Sequence, residues 1–183
     1  LDLIPVLSYI LLKGQCRYCH HKLNKNLLIH EVTAGFLFVL FYLHDGFNIL
    51  YLSHMCTLTC FYIISIIDFH LYEIPDNYLL ISLLTSFKMI YLKESFLFLL
   101  FLILFVYLFY KVTGEEGLGG GDIKMLGVCT LSLGFYQTLS ILSIACFLGI
   151  IFSLINKKKM IPFGPFITIG WLTISLFDSF IIL

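Results

Sequence analysis

Long apolar runs separated by short polar breaks dominate this sequence. The run "FLFLLFLILFVYLFY" at 96–110 contains no charged residue and shows no alternation of polar and apolar positions. Breaks such as "HDGFN", "DFHLYEIPDN", "TGEEGLGGG" and "NKKKMIPFGP" carry the Gly, Pro, Asn and charged residues that end regular structure. Hydrocarbon offers no partner to backbone N–H and C=O groups, so apolar runs of this kind are expected to be helices.

The pattern predicts apolar helices at about 31–43, 49–67, 77–92, 95–112, 122–134, 137–155 and 165–183. A helix needs about 20 mostly apolar residues to span a bilayer. The first and fifth helices are short by this measure, so their ends are expected at the interface or buried in protein. The predicted fold class is therefore all-α, a polytopic transmembrane bundle of about seven helices. Residues 1–30 are mixed and basic, and are predicted to form a small segment outside the membrane.

Composition supports the membrane assignment. Of the 183 residues 60% are hydrophobic and only 12% are charged, whereas soluble domains are about half apolar and a quarter charged. The lipid bilayer is thus an expected partner. The formal net charge is zero and there is no basic stripe, so no nucleic-acid partner is predicted.

The distribution of Lys and Arg predicts an orientation. Seven crossings place the segments 1–30, 68–76, 113–121 and 156–164 on one side of the membrane. Nine of the 11 Lys and Arg residues lie in or border these segments. This side is therefore predicted to be cytoplasmic. Asp68 and Asp122 then lie on the same face of the membrane, at the ends of two different helices.

These two aspartates are the candidate chemical groups. Asp68 ends the apolar run "CFYIISII", and Asp122 follows three glycines and precedes the apolar run "IKMLGVCTLSLG". Charged residues in membrane segments are costly and usually mark function. The structural alternatives are a helix N-cap for Asp122 and a solvated helix end for Asp68. Their shared face and the neighbouring glycines favour chemistry.

Two carboxyl groups held close together cannot easily both ionise, so one keeps a proton near neutral pH. Such a pair suits the hydrolysis of an amide. The ionised member takes a proton from water, which attacks the carbonyl carbon, while the protonated member donates to the carbonyl oxygen. Glycines ahead of Asp122 would let an extended peptide backbone approach closely. No cofactor is expected for this reaction.

Four motifs occur in order along the chain: "IPVLSYILLKGQCRYC" from residue 4, "IIDFHLYEIPD" from residue 66, "GLGGGDIKMLG" from residue 117 and "IPFGPF" from residue 161. The third contains the pattern GxGD. As an ordered set they resemble the bacterial type IV prepilin peptidases, a family of GxGD-type membrane aspartyl proteases. The resemblance implies that Asp68 and Asp122 are the catalytic pair. It also places Gly119, Gly121 and Lys124 in a motif and substrate loop, where Lys124 either steadies a negative charge or extends to the interface.

The resemblance further implies a function and a location. Members of this family cut the leader peptide from type IV prepilins and pseudopilins at the cytoplasmic face of the bacterial inner membrane. Many also methylate the new N-terminus with S-adenosylmethionine. Residues 1–30 would be part of the cytoplasmic segment and residues 31–183 the transmembrane protease domain. The family usually has eight spans, so a first helix and a first CxxC are expected before Leu1.

Cysteines offer a second candidate site. Cys16 and Cys19 form one CxxC, which is half of a tetrahedral zinc site. A structural disulfide is not expected on the cytoplasmic side. The other cysteines, Cys56, Cys60, Cys129 and Cys146, lie in apolar runs and are interpreted as small packing residues.

Two alternatives belong to other functional classes. In a small ion or solute carrier, the aspartates would bind a cation where a glycine-rich break interrupts a helix near the bilayer midplane. In a membrane scaffold, the CxxC segment would recruit partners, but the aspartates would have no role. The predicted position of both aspartates at helix ends favours the protease.

Overall fold

The structure, a computed structural model, describes residues 4, 6–86, 88–114, 117–157 and 160–177. In these residues the chain is almost entirely helical, and a single isolated bridge pairs Gln15 with Lys22. This agrees with the predicted all-α class. The last six residues of the predicted final helix, and Lys158 and Lys159 of the basic run, lie outside the described residues.

Eight α-helices occur in the described part of the chain. They are α1 (Leu7–Leu11), α2 (Lys25–Asp45), α3 (Ile49–Leu71), α4 (Asp76–Ser86), α5 (Leu92–Thr113), α6 (Gly120–Leu133), α7 (Phe135–Asn156) and α8 (Gly164–Phe177). A short 3₁₀ turn, Met89–Tyr91, precedes α5. By its contacts the chain divides into two compact units, Leu1–Tyr51 and Leu52–Leu183. The predicted division at residue 30 remains a prediction.

Two predicted helices differ most in their bounds from those of the structure. The helix predicted at 31–43 begins earlier, at Lys25, because the side chain of Asn24 accepts a hydrogen bond from the backbone N–H of Asn26 and caps it. The helix predicted at 77–92 ends at Ser86. Just beyond it the backbone N–H of Lys88 donates to the carbonyl oxygen of Leu131, a tertiary bond that replaces a helical one.

Four helices in the described residues are long and apolar enough to cross a membrane: α2, α3, α5 and α7. Helix α6 has only 14 residues, and most of its side chains from Met125 to Leu133 are buried. It packs against α4, α5, α7 and α8. A short helix is sufficient here because its neighbours, rather than lipid, surround it.

Helices α3 and α8 are joined by polar and aromatic contacts. The hydroxyl of Ser65 donates to the hydroxyl oxygen of Thr168 at 2.7 Å. The buried ring of Trp171 in α8 packs edge-on against Phe61 in α3, with 5.5 Å between the ring centres. The Ser65–Thr168 bond lies about one helical turn from Asp68 in α3 and from Gly164 in α8, so it joins the two helices near Asp68.

Candidate active site

Asp68 is held at the junction of α3 and α8. It lies three residues before the end of α3 and is 5% exposed. The backbone N–H of Gly164, the first residue of α8, donates to its Oδ2 at 2.8 Å. A Cβ atom at position 164 would lie 2.9 Å from the same oxygen, so this approach requires glycine. Helix α8 therefore fixes the Asp68 carboxylate with a charge-assisted hydrogen bond.

Asp122 lies in the first turn of α6. The residue in the N-cap position is Gly119, so the interpretation of Asp122 as the N-cap is wrong. From the third helical position a carboxylate reaches back over the start of its own helix. Accordingly, Oδ2 of Asp122 lies 3.1 Å from where a Cβ atom of residue 119 would stand. The glycine at this position leaves space for the carboxylate.

The second carboxylate oxygen of Asp122 has no hydrogen-bond partner. Oδ1 is buried and unpaired among the described residues. A buried polar atom without a partner costs free energy, and native proteins rarely keep one without a reason. Asp122 lies in the wall of a cavity, so its Oδ1 atom can form a hydrogen bond with a molecule bound there.

Both aspartates line one cavity of about 670 Å³ within the second unit. The described residues of its wall are Asp68, Tyr72, Gly117, Leu118, Gly119, Asp122, Cys146, Gly149, Ile150, Ser153, Leu154, Met160, Ile161 and Phe163. Apart from the carboxyl groups the wall is mainly aliphatic side chain and glycine backbone. The two carboxyl groups therefore lie in a mainly apolar surround. This arrangement supplies both groups that acid–base hydrolysis of an amide requires.

The connection from α3 to α4 lies beside this cavity. Its first residue, Tyr72, has a positive φ of 58° and turns the chain sharply after α3. The side chain of Ile74 then meets the backbone of α6: a Cβ atom at Gly121 would lie 2.8 Å from Cβ of Ile74. Gly121 is therefore required for this contact, and it does not line the cavity wall described above.

Lys124 interacts with Asp76. Its Nζ lies 2.7 Å and 2.9 Å from the two carboxylate oxygens of Asp76, the first residue of α4. Neither of the two expectations for Lys124, a charge stabiliser at the aspartates or a residue extended to the interface, included this partner. A role of Lys124 in a substrate loop remains a prediction.

Cys16 and Cys19 belong to the first unit. They lie in a tight turn in which the N–H of Cys16 donates to the carbonyl oxygen of His21 and the N–H of His20 donates to that of Cys16. Within the described residues no group of three or more His, Cys, Asp and Glu side chains is placed to hold a metal ion. The half zinc site therefore remains a prediction.

The remaining cysteines do not share one environment. Cys60 and Cys129 are buried, as expected for packing residues. Cys56 and Cys146 are exposed, and Cys146 lines the cavity that holds the aspartates. The interpretation of Cys56 and Cys146 as buried packing residues is therefore wrong.

Sequence reasoning missed two contributors to the site. Gly164 lies in the motif "IPFGPF", to which no role was assigned, and its backbone N–H donates to Asp68. Tyr72 contributes to the cavity wall. Its position four residues after Asp68, one helical turn, was the available signal.

Models of known protein families match two parts of the chain. Residues 55–154 match the model of the type IV leader peptidase family, and residues 1–44 match that of the bacterial peptidase A24 N-terminal domain. No solved structure gives a significant match to the chain.

Similar curated proteins carry the name prepilin leader peptidase/N-methyltransferase. Examples come from Dichelobacter nodosus (31% identical, covering 93% of this chain and 64% of the relative), Bacillus subtilis (26%, 99% and 78%) and Neisseria gonorrhoeae (27%, 96% and 66%). The chain thus spans about two thirds of the length of these relatives. With its apolar helices, these matches identify it as a bacterial membrane protein. The family expected from the four motifs is confirmed: the chain belongs to the type IV leader peptidase family.

Proposed function

We propose that this chain is a membrane-embedded aspartyl endopeptidase that removes the leader peptide from type IV prepilins or pseudopilins. Asp68 and Asp122 are its catalytic pair. The observation that carries the proposal is that two acids from separate helices line the same cavity. The names of the similar proteins support the choice of substrate.

The reaction follows from the properties of such a pair. One carboxylate removes a proton from a water molecule, and the oxygen of that water attacks the carbonyl carbon of the scissile amide. The protonated partner donates to the carbonyl oxygen. When the tetrahedral intermediate collapses, the C–N bond breaks and the departing nitrogen takes the proton that the first carboxylate removed from water. A hydroxyl proton of the intermediate returns to the second carboxylate, which restores the pair. The titration belongs to the pair as a whole.

The structure of the wall supports a peptide substrate with an apolar part. Gly117, Gly119 and Gly149 present backbone to the cavity, and Ile150 and Leu154 present aliphatic side chains. Backbone without side chains allows a peptide in extended form to approach the acids. Aliphatic neighbours suit the hydrophobic helix that follows the leader in this substrate class.

The proposed location is the inner membrane, with the cavity facing the cytoplasm. The excess of Lys and Arg on the predicted side of the membrane that also holds Asp68 and Asp122 supports this orientation. The carrier alternative places both aspartates near the bilayer midplane. Asp68 lies near the end of α3 and Asp122 in the first turn of α6, and these positions at helix ends favour the protease.

Methyl transfer is a second proposed activity of the whole protein, supported by the names of the relatives. S-adenosylmethionine would supply the methyl group.

In the first unit, Cys16 and Cys19 would provide two of the four thiolate ligands of a structural zinc ion. A tetrahedral site of this type needs a second pair of ligands. The segment 1–30 would form part of the cytoplasmic region of the protein.

The proteolytic proposal is tested by cleavage of a prepilin in detergent micelles with Asp68→Asn and Asp122→Asn, each made alone. Each change is expected to abolish processing, because either loss removes the proton donor or the proton acceptor. Insertion into the membrane and the thermal melting temperature should stay near those of the parent chain. Cleavage by either variant at the parent rate would contradict the proposed pair.

A further inference from the structure

The connection Tyr72–Asp76, here called the strap, is anchored on the first turn of α6 at two points. Ile74 lies so close to Gly121 that a Cβ atom there would be 2.8 Å from Cβ of Ile74. Two residues later, Asp76 accepts both hydrogen bonds from Nζ of Lys124. An apolar contact and an ion pair thus join the strap to α6.

Both sides of this joint are adjacent to the candidate catalytic acids. The strap begins one helical turn after Asp68, and the backbone N–H of Tyr72 donates to the carbonyl oxygen of Asp68 at 2.9 Å. On α6, Gly121 directly precedes Asp122 and Lys124 follows it by two positions. The strap therefore links the two chain segments that carry the acids.

Building on the proposed proteolytic function, we propose that Asp76 and Lys124 are positioning residues whose ion pair sets the placement of Asp68 relative to Asp122. Neither side chain is among the described residues that line the cavity. They act on catalysis through the strap and not by contact with the peptide. The close contact between Ile74 and Gly121 sets the distance between the strap and α6, and the ion pair holds the strap against α6.

The ion pair is solvent-exposed, so its loss should affect the catalytic rate more than the global stability of the fold. The side chains of Lys124 and Asp76 are 57% and 68% exposed. Ion pairs this exposed contribute little to global stability, so their loss should leave the fold intact. Catalytic rates are much more sensitive, because small displacements of reacting groups from their productive geometry are costly.

The test uses the full chain and a prepilin substrate, with kcat and KM measured separately. Asp76→Asn and Lys124→Gln are each expected to lower kcat about three- to tenfold while KM changes less than twofold. The exchanged pair, Asp76→Lys with Lys124→Asp, should recover part of the loss. Lys124→Arg keeps the charge and should retain the parent kcat. Glu73→Gln, which neutralises an exposed acid of the same strap, is the matched control and should also retain it.

Hydrogen exchange gives a readout that does not depend on cleavage. Backbone amides of the strap should exchange faster in Asp76→Asn and Lys124→Gln than in the parent chain, while those of α7 should be unchanged. The same measurement on Glu73→Gln should match the parent. Unchanged strap exchange in both single variants would overturn the proposal.

The kinetic results separate this proposal from the proposed function. If both single variants keep the parent kcat while Asp68→Asn is inactive, the ion pair has no positioning role and the protease assignment stands. A rise in KM at constant kcat would assign the pair to substrate binding and overturn the positioning role. The positioning role would also be overturned if both single variants have a lowered kcat and the exchanged pair recovers none of the loss. If Asp68→Asn and Asp122→Asn both remain active, the proposed function itself fails.

Discussion

The backbone N–H of Gly164 donates to Oδ2 of Asp68 at 2.8 Å, and a methyl group at position 164 would stand 2.9 Å from that oxygen. The start of α8 and the end of α3 thus approach as closely as glycine permits. Asp68 is oriented by the backbone of a helix that begins 96 residues later in the chain. This relationship supports the first of the predictions below.

Gly164→Ala is expected to displace the Asp68 carboxylate and lower kcat/KM by about 10- to 100-fold, because small displacements of catalytic groups have effects of this size. The measurement is prepilin cleavage by purified protein, together with its thermal melting temperature. Gly35→Ala is the control, since a Cβ atom at that helical glycine meets nothing within 4 Å. Equal activity of both variants would contradict the role of Gly164.

Adjacent glycines before Asp122 should differ in their tolerance of a methyl group. A Cβ atom at Gly119 would lie 3.1 Å from Oδ2 of Asp122, whereas one at Gly120 meets nothing within 4 Å. Gly119→Ala is therefore expected to lower the cleavage rate at least several-fold, and Gly120→Ala to leave it near the parent value. The pair is compared under the same substrate conditions. A larger loss in Gly120→Ala would show that flexibility, not space at the carboxylate, governs this loop.

Thiol modification should report on the cavity. Cys146 is exposed and lines the wall that also carries Asp68 and Asp122. Attachment of a maleimide to this sulfur fills space beside the acids, so it should block cleavage. Treated Cys146→Ala is expected to keep more activity than the treated parent chain. Cys56→Ala, which removes another exposed thiol, serves as the control and should stay sensitive. Equal inhibition of the parent and Cys146→Ala would place the reactive thiol elsewhere.

The hydroxyl contact between α3 and α8 should contribute modestly to stability. Ser65 donates to Thr168 at 2.7 Å, and Thr168 also donates to the carbonyl oxygen of Gly164 in its own helix. Hydrogen bonds between membrane helices are worth about 0.6 kcal/mol on average. Thr168→Val is thus expected to lower the free energy of unfolding by about that amount, measured by denaturation in mixed micelles. Thr173→Val is the control, because among the described residues the hydroxyl of Thr173 donates to the carbonyl oxygen of Gly170 in its own helix.

Sequence reasoning located the helical segments well where they are long. The predicted helices 49–67, 95–112 and 137–155 correspond to α3, α5 and α7, which all qualify as membrane spans. It failed at the helix predicted over 77–92. That segment is mainly apolar and Lys88 is its only charged residue, so hydropathy did not indicate that α4 ends at Ser86. The tertiary bond between Lys88 and Leu131 has no counterpart in local composition.

Part of the candidate site could also be predicted from the sequence. Asp68 and Asp122 stood out because charges are rare in apolar runs, and the structure brings both into one cavity. The sequence did not indicate the partner of Lys124. A lysine near a membrane surface has many possible partners, and only the packing of α4 against α6 selects Asp76.

The amino-acid sequence alone determined that the chain forms apolar helices and carries two acids beside family motifs, because hydropathy and short motifs are local properties. Only the tertiary structure decided how those acids are held. The hydrogen bond from Gly164 to Asp68 joins residues 96 apart, and the ion pair from Lys124 to Asp76 joins residues 48 apart. Contacts over such separations depend on how helices pack, and no local pattern encodes that packing.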